Sequence, residues 1–189
     1  SIGGYTTIPV ETRQVGADEQ RWRFYAIRAA DDQYLRETGA NLKLFDKAYG
    51  ETQEEIWDAL REDSNLVVVD SLVVPSRDGF GNDEIPFELE GISYEDTEME
   101  AVDIEVREPR TGQVIPLKVV GVLDRLTDAF GELGVGMLAS REELDEAIPF
   151  TIPTTTFRFK AADGVNVAAL SKDLESDFRE NGMETDVLS

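Results

Sequence analysis

The side chains that could do chemistry in this sequence are mainly carboxylates. The segment Asp78–Glu84 carries Asp, Asn and Glu residues around two glycines. Oxygen ligands of this kind suit calcium, which takes about six to eight of them. Because the spacing departs from that of an EF-hand loop, we favour a solvated turn for this segment over a calcium site.

Adjacent carboxylates raise a second possibility, a pair that acts in general acid–base catalysis. The pairs are Glu54/Glu55, Asp83/Glu84 and Glu142/Glu143. Neighbours on a helix point apart, and a chain with 40 acidic residues contains such pairs by chance. A glycosidase needs its two carboxylates close together in a cleft, which adjacency in sequence does not predict.

Asp70 interrupts an otherwise apolar run, Leu66–Val74. A buried ionised carboxylate is costly unless it is paired, so Asp70 could mark a functional polar site. One interpretation continues a buried strand past it through Leu72–Val74. The favoured interpretation ends the strand at Val69, so that Asp70 caps a short helical turn at Ser71–Val73.

The composition excludes several kinds of active site. The chain has no cysteine and no histidine, which rules out disulfides, thiol nucleophiles and thiolate or imidazole metal sites. Its serines lack a histidine base, and neither Ser76-Arg77 nor Ser171-Lys172 forms a Ser-x-x-Lys pattern. We therefore predict no catalytic, cofactor-binding or metal-binding residues, and no enzyme activity.

A glycine-rich segment, Gly131–Gly136, lacks the Gly-Lys-Ser/Thr ending of a phosphate-binding loop. Three apolar residues lie in or beside it: Phe130, Leu133 and Val135. A packed loop is the favoured interpretation. These three residues are nevertheless the best candidates for contact with a partner protein.

Charge limits the partners. A formal net charge of −22, from 40 acidic and 18 basic residues, repels phosphate backbones, so nucleic acid is an unlikely ligand. No apolar run approaches the roughly 18 residues of a membrane helix. Because the chain starts at Ser1 rather than Met, we expect a fragment or a processed product.

Periodicity predicts an α+β fold, with a β-rich central lobe containing hairpins and a terminal βαβ-like lobe. Capping patterns at Asp31, Thr52 and Ser140 open three helices, and a fourth runs over about Val165–Asn181 with Gly182 as its stop. The predicted strands are Tyr5–Val10, Arg21–Ala26, Leu66–Val69, Ile85–Leu89, Val102–Val106, Ile115–Leu123, Gly134–Ala139, Thr156–Lys160 and Thr185–Leu188.

Three segments carry a family resemblance. They are the helix, strand and turn of Thr52–Asp78, the hairpin Val102–Asp124 with its Val119-Val120-Gly121-Val122 pattern, and the terminal Thr154–Lys160 with the helix that follows. Together they resemble the extracytoplasmic (MacB-like periplasmic core) domain of FtsX/MacB-type ABC-transporter permeases. The resemblance spans roughly residues 20–188.

The resemblance implies a porter-like βαβ lobe from residues 1–20 and 150–189, incomplete at its N-terminus, with an inserted β-rich lobe at 21–149. It also implies a prokaryotic protein on the periplasmic or extracellular side of the cell membrane. The partners would be the permease's own membrane helices, a cytoplasmic ATPase, a second permease, and an extracytoplasmic adaptor or cargo. Such a domain would relay ATP-driven motion.

Two other functions remain open at this point. One is a freestanding, acid-dependent hydrolase, which requires a deep pocket with converging carboxylates. The other is a ligand-binding module on a cell surface, which a concave apolar groove would favour.

Overall fold

A computed structural model describes residues 2–18, 21–63, 65–77, 87–124, 136–142, 144 and 154–183. The chain divides into two compact units, Gly3–Arg158 and Phe159–Ser189 with Ser1–Ile2. The strands are β1 (Ile2–Gln14), β2 (Arg23–Ala30), β3 (Leu42–Phe45), β4 (Leu66–Val69), β5 (Val102–Arg107), β6 (Val114–Leu123), β7 (Met137–Ser140) and β8 (Thr156–Phe159). The helices are α1 (Asp32–Glu37), α2 (Gln53–Glu62) and α3 (Val167–Glu180), with a 3-10 turn at Ser71–Val73. None of the helices among these residues is both long and apolar enough to span a membrane.

Six strands of the larger unit pair in a closed ring. β1 pairs antiparallel with β2 along Tyr5–Thr12 and, through its other edge, with β5 along Glu11–Gln14. β2 pairs parallel with β7, β7 antiparallel with β4, β4 parallel with β6, and β6 antiparallel with β5. β3 joins the sheet at β6 and β8 joins it at β1, both outside the ring. The predicted α+β class is confirmed as a sheet-rich core with helices.

The core has two layers, one inside the ring and one between the ring and the first two helices. All six ring strands contribute to the inner cluster, for example through Val67 and Val69 of β4. The alternate β4 residues, Leu66 and Val68, belong to the outer cluster with α1 and α2. Because both faces of β4 are covered, every residue of this strand is buried, as its unbroken apolar sequence predicts.

The first two helices begin at the predicted caps. The Asp31 carboxylate accepts a hydrogen bond from Tyr34 N, and the Thr52 hydroxyl accepts one from Glu55 N. The Glu55 carboxylate accepts a hydrogen bond from Glu51 N at 2.6 Å. In an ordinary capping box it would accept from the N–H of the N-cap residue, which is Thr52, one residue later. These caps satisfy backbone N–H groups that a helix start leaves free.

The predicted hairpin is confirmed. β5 and β6 pair from Val102–Val119 to Arg107–Val114. In the turn, Gly112 N donates to Glu108 O at 2.8 Å, and Gly112 has φ +72°, a conformation that glycine adopts without a steric penalty.

The structure differs from the predicted strands at several places. The predicted strand Arg21–Ala26 corresponds to β2, which starts at Arg23 and continues to Ala30. Every residue of β2 pairs with β1, and this pairing extends the strand beyond the predicted end. The described part of the predicted strand Ile85–Leu89 is not in a sheet. Its Phe87 and Leu89 are buried, and Leu89 N donates to Val73 O at 2.8 Å, so the alternation reflects a packed loop. β3 was not predicted from the sequence.

The C-terminal unit contains α3. The helix starts after Asn166, whose side chain accepts from Ala169 N, and Gly182 with φ +76° follows it, as predicted. Its apolar residues follow helical spacing, yet Val167 is 50% exposed and no residue of the helix is buried. The predicted strand at 185–188 lies outside the described residues. The division into one lobe formed by residues 1–20 and 150–189 and an inserted lobe at 21–149 stays a prediction.

The burial of α2 generates a prediction about stability. Leu60 of α2 is fully buried in the outer core cluster. Leu60→Ala should lower the free energy of unfolding by about 2–5 kcal/mol, because it leaves a cavity as well as removing apolar contact. Urea unfolding followed by tryptophan fluorescence measures this change.

Leu72→Ala is the matched control, because Leu72 is 44% exposed. It should change the free energy of unfolding by no more than about 0.5 kcal/mol. Equal losses in both variants would contradict the packing of α2 against the ring.

Candidate functional site

The residues predicted to contact a partner cannot be placed. Phe130, Leu133 and Val135 lie outside the described residues, as does the acidic segment 78–84. The pairs Asp83/Glu84 and Glu142/Glu143 also fall wholly or partly outside them. Ser140, predicted as a helix cap, is the last residue of β7; Arg141, Glu142 and Leu144 after it are helical as predicted, and the rest of the predicted helix lies outside the described residues.

The carboxylate pair that can be placed does not converge. Glu54 and Glu55 are both exposed in the first turn of α2, and Glu55 bonds to the backbone of Glu51. Within the described ranges, no group of three or more Asp, Glu, His or Cys residues could hold a metal ion.

Asp70, the polar residue that interrupts the apolar run in the sequence, lies within the described part of the chain. The strand ends at Val69, and the Asp70 carboxylate caps the 3-10 turn by accepting from Leu72 N at 2.8 Å. This confirms the favoured interpretation of the sequence. The continuation of the strand through Leu72–Val74 is wrong, because the chain makes this turn instead.

The same carboxylate is also fully buried and joins distant segments. Its Oδ2 accepts from the Tyr25 hydroxyl at 2.5 Å and from Gly136 N at 2.8 Å. The turn after β4 is thereby connected to β2 and to the residue that precedes β7. We call Asp70, Tyr25 and Gly136 the Asp70 junction.

Burial sets the protonation behaviour of this carboxylate. Loss of hydration raises the pKa of Asp70 above 3.8, and this effect outweighs the hydrogen bonds from Tyr25, Gly136 and Leu72 and the nearby charge of Arg28, all of which lower it. A perturbed acid can indicate a functional site. Here its partners are a tyrosine and two backbone N–H groups, a set that suits a structural connection.

A second polar feature lies on the outer face of β1 and β5. Arg13 pairs with Glu105 at 2.6 Å, and Arg107 pairs with Glu11 at 2.5 Å, each across the two strands. The indole of Trp22 stacks against both guanidinium groups, with Cζ–centroid distances of 4.5 Å for Arg13 and 4.4 Å for Arg107. Such cation–π contacts fix the side chains of this face.

A cleft of about 490 Å³ borders α1 and α2. Its lining combines apolar and charged residues: Leu35, Arg36, Thr38, Gly39, Ala40, Asn41, Gln53, Glu54, Trp57, Asp58 and Arg61. The Arg61 guanidinium pairs with Asp32 at 2.6 Å and with Asp58 at 2.5 Å. The volume is that of a small-molecule site, and the Asp58 carboxylate in its lining is held in an ion pair with Arg61.

Glu95 holds two loops together. It accepts from Arg77 N at 3.0 Å, from the Ser76 hydroxyl at 2.5 Å and from the Ser93 hydroxyl at 2.6 Å. These hydrogen bonds lower the pKa of Glu95 to about 2, and the one from Arg77 N has the largest effect. This network also accounts for Ser76 as a structural donor.

Sequence reasoning identified Asp70 but not its partners. Tyr25 lies 45 residues before it and Gly136 lies 66 residues after it. No local pattern links them. The signal that was available is the tyrosine itself, because a buried tyrosine hydroxyl usually needs a hydrogen-bond partner.

The fold matches two solved extracytoplasmic domains of ABC-type transporters. The periplasmic region of MacB from Actinobacillus actinomycetemcomitans matches with a TM-score of 0.51 at 16% identity, over 97% of this chain and 68% of that one. The extracellular domain of the noncanonic ABC-type transporter YknZ from Gram-positive bacteria matches with a TM-score of 0.51 at 10% identity, over 97% and 77%.

Identities this low show the fold alone, and at that level the resemblance to FtsX/MacB-type domains is confirmed. No protein-family model matches the chain, and no curated protein matches it in sequence.

The Asp70 junction generates a prediction about pH. Because the folded-state pKa of Asp70 is raised, the folded protein binds the proton more tightly than the unfolded chain. The resulting stabilisation is full below the unfolded pKa and is lost as pH rises through the folded pKa. The charged or titratable groups described around it are Tyr25 and Arg28, both on β2; Gly136 and Leu72 contribute only backbone N–H groups.

We therefore expect the free energy of unfolding of the wild type, relative to Asp70→Asn, to fall as pH rises from about 4 towards 8. Urea unfolding at a series of pH values measures the difference. Asp46→Asn is the matched control, since Asp46 likewise accepts from the N–H two residues on, Ala48, and from a distant one, Ala101. A constant difference between wild type and Asp70→Asn across this range would contradict the assignment.

Proposed function

We propose that this chain is a non-catalytic extracytoplasmic domain of an FtsX/MacB-type ABC-transporter permease, exposed on the outer side of a prokaryotic cell membrane. The observation that carries this proposal is the shared fold, which extends over 97% of the chain in both matches. The family resemblance of Thr52–Asp78 and Val102–Asp124 supports it independently of the coordinates.

The role proposed for the domain is mechanical. ATP hydrolysis by a cytoplasmic ATPase would move the permease's membrane helices, and the domain would pass this motion to an adaptor or cargo. The division of the chain into two compact units supports such a role, because motion between units is the usual expectation unless a large apolar interface joins them. A second copy of the permease would complete the transporter.

The first test is the topology of the full-length protein. We expect a membrane helix shortly before Ser1, a group of membrane helices soon after Ser189, and a neighbouring gene for an ATPase. Reading the gene and fractionating the expressed protein decide this. A full-length protein without membrane helices would reject the permease assignment, and a ligand-binding module would then be the leading candidate.

The second test concerns relayed motion. This chain has no cysteine, so within it spin labels attach only at introduced cysteines, and any cysteine elsewhere in the transporter is first replaced by serine. In the full transporter, we expect the distance between Glu100→Cys in the larger unit and Glu180→Cys on α3 to differ between the ATP-bound and nucleotide-free states.

The control pair is Glu62→Cys with Glu100→Cys, both exposed and both in the larger unit. Its distance should stay constant. If the first pair also keeps its distance while the transporter hydrolyses ATP, the domain does not relay motion between its units.

A further inference from the structure

The ring of strands has one junction with little backbone pairing. Within the described residues, β4 and β7 pair through Val68 and Leu138 alone. The neighbouring strands pair continuously, β2 with β7 from Ile27–Met137 to Ala30–Ser140. Because ladder hydrogen bonds increase with the number of paired residues, the β4–β7 junction is the place where the backbone contributes least to ring closure.

The Asp70 side chain spans this junction. It follows Val69, the last residue of β4, and its Oδ2 accepts from the N–H of Gly136, the residue just before β7. The same oxygen accepts from the Tyr25 hydroxyl on β2, the other neighbour of β7. A side chain therefore connects the three strands where β4 and β7 lack a longer ladder.

The environment makes this connection strong. Hydrogen bonds to a charged or partly charged acceptor gain strength where water is excluded, and Asp70 is fully buried. If the acceptor is lost, the Tyr25 hydroxyl and the Gly136 N–H lose their bonds to it in a buried place. Opening this region to water would then satisfy the Gly136 N–H.

We propose that Asp70 is a latch that keeps the β4–β7 junction closed, and that its release lets the start of β7 separate from β4 while the rest of the ring stays paired. The latch gives the fold a defined place for local opening below the level of global unfolding. This inference depends on the ring alone and stands apart from the proposed transport role.

Native-state hydrogen exchange tests the latch on the chain as it is. In Asp70→Asn, one oxygen of the acceptor becomes an N–H₂ donor that faces existing donors. We expect exchange at Gly136–Ser140 to accelerate about ten- to a hundredfold relative to exchange in the β5–β6 hairpin. Asp46→Asn, which alters a carboxylate with a similar pair of backbone donors, should leave exchange at Gly136–Ser140 unchanged.

Tyr25→Phe is the second variant, and it removes one donor while the carboxylate keeps its bonds to Gly136 and Leu72. It should accelerate exchange at the same amides by a smaller factor, and it decides the matter if Asp70→Asn does not fold. Equal acceleration at all amides would show that Asp70 contributes only to global stability. Three results would overturn the latch: equal acceleration at all amides, unchanged exchange in both variants, or failure of both variants to fold.

Discussion

Closure of the ring depends on β1, because its two edges pair with different strands. One edge follows β2 along Tyr5–Thr12, and the other pairs with β5 along Glu11–Gln14. Without this strand the sheet would expose two edges and one face of the inner cluster to water. Ring closure satisfies those edges internally, and this allows apolar residues from all six strands to share one dry interior. The helices α1 and α2 then cover the outer face of β4, which explains why both of its faces are buried.

The dry interior determines what a polar side chain can do there. Asp70 is fully buried, so it is tolerated only because Tyr25, Leu72 and Gly136 donate to its two oxygens. Other carboxylates among the described residues bind their partners where water still has access, as the half-buried Glu11 and Glu105 do with arginines across β1 and β5. Ion pairs that water still reaches contribute little to stability individually. The buried junction and the surface pairs thus have different roles, although both use the same chemical group.

The sequence predicts those parts of the fold that are encoded locally. The cap at Asp31, the β5–β6 hairpin and the buried strand β4 each follow from a few adjacent residues, and each is confirmed. The partners of Asp70 could not be predicted, because they come from sequence separations of 45 and 66 residues. The sequence predicts a strand at Phe87 and Leu89, whereas the structure has a loop there. Burial of alternate residues in a loop can produce the same alternation of apolar and polar residues as a sheet. Ring closure, which depends on pairing between distant strands, leaves no local signature.

The Val119-Val120-Gly121-Val122 pattern lies where three strands of the sheet meet. At this point β6 pairs with β4 and β3, and the β4–β6 register shifts between Val67–Val119 and Val68–Gly121. A Cβ atom at Gly121 would lie 3.2 Å from Val68 Cγ2 and 3.5 Å from Leu42 Cδ1, so even an alanine would require the Val68 side chain to shift slightly. Around the glycine, Val119–Leu123 are all buried, so apolar side chains lie on both faces of β6 here. The close approach of β4 and β3 thus explains the glycine of this pattern, and burial explains its valines.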